Sequence, residues 1–108
     1  MAKIRRRRIH WNVSSDASVV GFKLYWSVSG AASYGSEFAD VGNVTEVVVP
    51  DDIPSFPLVA GVMELGVTAY NEVGSESDMT RFSAHFDFTA PAPPTELMVD
   101  ATDDYHIR

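Results

Sequence analysis

Apolar side chains recur at every second position through most of this chain, the spacing of strands that turn one face inward. Ile9, Trp11 and Val13 share one side of a first predicted strand. Phe22, Leu24 and Trp26 share one side of a second, reached through Gly21. The small residues Ser29-Gly30-Ala31-Ala32-Ser33 read as a loop, a weaker strand surrounds residues 34–38, and the β-branched run 45–49 closes at Pro50. Pro50, Pro54 and Pro57 cannot donate to a ladder, so residues 51–58 are expected to be an extended connection. Met63, Leu65, Val67 and Ala69 then alternate inward, Asn71-Glu72-Val73-Gly74-Ser75 turns the chain, and Phe82, Ala84, Phe86 and Phe88 form a last stripe expected to be core. No stretch carries the helical period, so the pattern predicts an all-β, antiparallel two-sheet sandwich.

Three prolines within residues 90–94 make a stiff linker. They divide the chain into a sandwich over 1–89, a linker over 90–95 and a terminal segment over 96–108. With 108 residues, 45% of them hydrophobic and 21% charged, a self-sufficient core is expected. No cysteine is present, which removes disulfides and thiolate chemistry. No run approaches the roughly eighteen apolar residues of a spanning helix, so no membrane insertion is expected. The basic N-terminus lacks the apolar stretch of a secretory leader, which tilts the expected location toward an intracellular assembly or a virion component.

Charge is unevenly distributed: residues 1–8 carry +5, residues 9–89 carry −9 and residues 90–108 carry −3. A basic head and an acidic tail favour head-to-tail contact between copies.

The elements assembled in this way resemble the fibronectin type III family, a seven-stranded immunoglobulin-like sandwich. The Trp11 strand looks like that family's strand B, and Gly21-Phe22-Lys23-Leu24-Tyr25-Trp26 looks like strand C. The most specific match is Val67-Thr68-Ala69-Tyr70-Asn71-Glu72-Val73-Gly74-Ser75, which looks like strand F with its following turn. The resemblance spans roughly residues 4–89 and departs from the family pattern twice. Met63 stands where the family usually carries a corner tyrosine, and the usual strand A does not precede Trp11. A segment that resembles it, Pro93-Pro94-Thr95-Glu96-Leu97-Met98-Val99, comes last instead.

This displaced strand is expected to run antiparallel to the strand of Arg5, Arg6, Arg7 and Arg8. Leu97 and Val99 would then point into the core while Glu96 and Asp100 approach the arginines. Opposite charges across strands contribute about 0.2–1 kcal/mol each, whereas two buried aliphatic side chains contribute about 3–6 kcal/mol together. Burial therefore sets the docking and charge selects the partner. Closure onto the same chain looks strained, because the linker spans at most about 20 Å and must reach the opposite pole. It is relieved only if the last strand ends near Ala84 and exposes Phe86 and Phe88. Docking into a neighbouring copy is favoured, and it propagates as a filament unless it closes into a ring. Tyr105 and Ile107 lie in a short second strand that extends the contact. A loosely ordered tail, or the start of a neighbouring domain, is the plainer alternative.

Signals for other chemistry are weak. His10, His85 and His106 are far apart, Asp51-Asp52 and Asp103-Asp104 lack the ligand spacing of a calcium loop, and no Ser, His and Asp grouping falls into a motif. A non-catalytic chain without cofactor or metal is expected. The Arg5 to Arg8 run is compatible with an anionic surface, yet the acidic balance of the rest argues against nucleic acid. Asn12-Val13-Ser14 and Asn43-Val44-Thr45 match glycosylation sequons, which count only after secretion. The expected role is a structural module that joins copies of itself, or docks to a larger assembly, by terminal strand exchange. Its competitor is a monomeric module that grips a protein or carbohydrate with loops 30–42 and 51–61, using Tyr34 and Phe56.

Overall fold

Residues 2–13 and 15–107 are described by a computed structural model of the chain. Six strands form, and no helix among these residues: β1 (Arg7–His10), β2 (Gly21–Ser27), β3 (Glu37–Gly42), β4 (Glu46–Val49), β5 (Ala60–Tyr70) and β6 (Thr80–Asp87). They make two antiparallel sheets, β1-β4 and β3-β2-β5-β6. The fold is the all-β, two-sheet arrangement that the period-two pattern predicts.

Register fixes which side chains face inward. Ile9 lies opposite Val47 and Arg7 opposite Val49, so these two residues share the inner face of the small sheet. Leu24 pairs with Val67 and Trp26 with Leu65, while Leu65 pairs with Phe82. Between the sheets lies a core of Leu24, Trp26, Val47, Val49, Ile53, Phe56, Met63, Leu65, Phe86 and Phe88. Full burial of each such side chain contributes about 1.5–3 kcal/mol. Phe56 is the hub of its aromatic part, with ring centroids 5.2 Å from Trp26, 5.7 Å from Phe86 and 6.0 Å from Phe88.

The structure corrects several sequence expectations. β1 covers Arg7–His10, so Arg5 and Arg6 lie ahead of the strand expected to hold them, and Val13 is exposed instead of inward. Ser14 lies outside the described residues. The third strand starts at Glu37 and runs past the expected 34–38, because Ser36 N–H bonds to Ser33 C=O and makes residues 33–36 a turn. Residues 51–58 form turns rather than an extended connection. Asp52 accepts the Val48 N–H at 2.7 Å, and the turns drive Ile53 and Phe56 into the core.

A second, smaller cluster was not anticipated. Tyr25 points away from the sandwich interior yet is only 2% exposed, because Ala32 and Met79 cover it on the outer face of the large sheet. Its hydroxyl donates to Glu76 at 2.5 Å, as does Thr68 at 2.8 Å, and Lys23 Nζ stands 3.4 Å from the same carboxylate. Burial pushes the Tyr25 hydroxyl up to about 12, and the Glu76 carboxylate reinforces that shift. For Glu76, burial acts to raise its pKa, but the hydrogen bonds from Tyr25 and Thr68, with Lys23 beside them, outweigh it and hold the carboxyl below its ordinary range.

Phe88 is the last buried residue, and its N–H reaches Val59 C=O at 3.4 Å. From residue 88 to 107 no strand forms. A radius of gyration of 21.6 Å, against about 13 Å for a compact chain of this size, shows that this tail stands away from the body.

Candidate assembly interface

β1 has β4 on one side and no ladder on the other among the described residues. Trp11, just past its end, donates its backbone N–H to Thr45 C=O at 3.0 Å. With Trp11 extending the β1 register by one residue, opposite Thr45, the backbone groups of the odd-numbered residues face β4. By alternation those of Arg6, Arg8 and His10 face the open edge. β6 is likewise the outer strand of the large sheet. Between these two edges lies a cleft of about 220 Å³, walled by Ile9 and Trp11 from β1, Leu24 and Val67 from the floor, and Phe82 and Phe86 from β6.

The cleft explains why one member of the aromatic stripe departs from its expected place. Phe82 has the inward parity of Phe86 and Phe88 but is 70% exposed, since no strand among the described residues covers the gap above it. Trp11 shares the site and stacks at a tilt 5.7 Å from Phe22. Its ring N–H is buried without a hydrogen-bond partner.

Arg7 closes one end. Its guanidinium lies over the Phe86 ring at 5.0 Å and donates to His85 C=O at 2.9 Å, so it straps β1 to the outer edge of β6. This places the end of β6 and the start of β1 at the same pole, with Trp11 at the other. The remaining arginines divide. Arg6 pairs with Asp51 at 2.9 Å and Arg8 with Glu46 at 3.7 Å, all of them well exposed, while Arg5 makes no ion pair among the described residues. Arg6, Arg7 and Arg8, expected at the interface together with Arg5, thus also make contacts within their own body.

The other predicted site residues lie in the tail, and the structure does not bring them to the arginines. Glu96 and Asp100 are exposed, as are Leu97 at 101%, Val99 at 95%, Tyr105 and Ile107. The short second strand expected around Tyr105 and Ile107 does not form in the single chain. Glu96 adopts a left-handed backbone with φ of 54°, a conformation that turns the chain immediately before Leu97. Phe86 and Phe88 are buried and β6 extends to Asp87, so the arrangement that would have relieved the strain of closure within one chain is absent.

Of the loop candidates, Tyr34 is half exposed, with its hydroxyl donating to Ser77 C=O at 2.7 Å, whereas Phe56 is buried at the centre of the core and is corrected to a packing residue. A shallow hollow between the two loops is lined by Ser29, Ser36, Glu37, Ser55 and the edge of Trp26. His10, His85 and His106 are exposed on β1, β6 and the tail respectively. The cleft itself was not legible in the sequence.

No protein-family model, no curated protein and no solved structure matches this chain.

Proposed function

We propose that this chain is a non-catalytic assembly module of fibronectin type III-like build whose C-terminal segment serves as a strand for another copy of itself. The β3-β2-β5-β6 sheet facing β1-β4 supports that reading of the fold, with Met63, 1% exposed, packing where the family resemblance places a corner tyrosine. One observation carries the function: a body with an open apolar cleft beside an unpaired strand edge is joined to a tail that exposes the apolar run Leu97-Met98-Val99. Each exposed surface is unfavourable alone, and covering one with the other removes both from water. Because donor and acceptor are different surfaces, the association is heterologous and head to tail.

The test compares the full chain with a variant lacking residues 90–108 by light scattering over a range of concentrations. The full chain should give a mass that grows with concentration, and the shortened one should stay at the mass of a single copy. Equal, monomeric masses and equal stability would sink the reading. In that case the shallow hollow between loops 30–42 and 51–61 becomes the better place to look for a ligand.

A further inference from the structure

We infer that the acceptor site is the β1 edge of the cleft and that the donated strand of a second copy lies on it in one register. Leu97 stands beside Trp11, Val99 beside Ile9, Asp100 beside Arg8 and Ala101 beside Arg7. This rests on the assembly reading above and specifies its contact.

Three features select β1 over β6. The backbone groups of Arg8 and His10 face the open side, while at the end of the β6 edge the His85 carbonyl is already held by Arg7. A strand on β1 lies directly above the exposed Phe82, completing the cover that the cleft lacks. The donated segment is acidic and β1 is basic.

Direction follows from the poles. β6 ends beside Arg7, so a neighbour's strand that is antiparallel to β1 enters at the Trp11 pole and leaves at the Arg7 pole. A chain that served its own cleft this way would have to retrace the whole length of β1 and then reverse. Running from Arg7 back to Trp11 takes about 13 Å of the about 19 Å that linker residues 90–95 cover in the extended proline-rich conformation, and Pro93 and Pro94 stiffen the few residues left for the reversal. The same segment easily crosses from one body to the next.

Register follows from backbone and size. Glu96 is left-handed and cannot hold a ladder position, so pairing starts at Leu97. The apolar part of the cleft lies beneath Ile9 and Trp11, and two inward positions of the strand, Leu97 and Val99, match it. The next inward residue is Ala101, small enough to leave the Arg7 guanidinium on Phe86. Asp100 then flanks Arg8 on the side opposite Glu46, and Thr102 falls beside Arg6.

Because the chain has no cysteine, engineered pairs report this contact without background. Arg8 and Asp100 are exposed, so R8C/D100C leaves the core intact. Their Cα separation in the proposed ladder is about 5.5 Å, inside the disulfide range, whereas partners two positions away exceed about 7 Å. Oxidation of the full-length R8C/D100C variant should give a covalent ladder on a non-reducing gel, at least about tenfold faster than R8C/M98C or R8C/T102C. A faster ladder from either control, in protein that still associates by light scattering, overturns the register and leaves the assembly reading standing. A disulfide confined to single chains overturns docking between copies. Absence of both cross-link and association overturns the inference and the reading together.

Discussion

Replacing Leu97 and Val99 by alanine separates burial from charge as the source of association. In the free chain both side chains are essentially fully exposed, 101% and 95%, so docking has their whole transfer free energy to gain. Leu→Ala removes three carbons and Val→Ala two, which at about 0.8 kcal/mol per buried carbon amounts to about 4 kcal/mol. That corresponds to weakening association by about a thousandfold. Asp100→Asn, which deletes only a cross-strand charge on an exposed surface, should cost at most about 1 kcal/mol, or roughly fivefold, and should lose its effect in high salt. Sedimentation velocity across a concentration series reads both. As a control, Val62→Ala alters an apolar side chain that is 65% exposed on β5, away from the cleft, and should leave the mass distribution unchanged. If L97A/V99A sediments like the parent, or if D100N weakens association more than L97A/V99A does, the tail does not act through burial in the cleft.

Four further outcomes test the body of the domain. Tyr25 is held protonated to about 12 against an ordinary value of 10, so the folded state binds that proton more tightly; its contribution is complete below pH 10 and should be lost between pH 10 and about 12, a slope that Tyr25→Phe should reduce in denaturant titrations, leaving the part owed to Tyr70, which its hydrogen bond to Asp40 also shifts upward. Glu76 is depressed below its ordinary value of 4.5, so its contribution is complete above that pH and falls as the pH drops through the depressed value; Glu76→Gln should flatten this acid limb. A Cβ on Gly66 would collide with Sδ and Cγ of Met79, so Gly66→Ala should destabilise by about 1–3 kcal/mol, with partial recovery in the double variant carrying Met79→Ala, measured by thermal unfolding. Phe56→Ala, which empties the hub of the aromatic core, should cost about 3–5 kcal/mol, whereas a loop contact residue would have cost almost nothing.

Period-two alternation located the strand cores because one face of each strand is buried, and burial leaves a mark at every second residue. It failed where burial came from a different source. Tyr25 alternates as an outward residue, and only the segments that carry Ala32, Glu76 and Met79 cover it. Phe56 sits among prolines and aspartates, so its neighbours advertise a surface loop while two turns carry its ring inside. Phe82 shows the reverse: the parity is correct but the covering strand is absent from the single chain. For the candidate site, the tail could be read from its apolar run Leu97-Met98-Val99 behind the proline-rich linker. The acceptor could not, because the cleft is a property of two edges 70 residues apart, and the partners of Arg6, Arg7 and Arg8 come from three different segments.

The shared pole of β1's start and β6's end also has a mechanical consequence. In a polymer joined as proposed, tension arrives through the linker at the Trp11 end of the docked strand and departs through the acceptor's own β6 at the Arg7 end. The two pulls act in opposite directions along the strand, so the joint is loaded in shear. Its backbone bonds must break together rather than one after another, and such a fibre resists stretching far better than it resists peeling from the side.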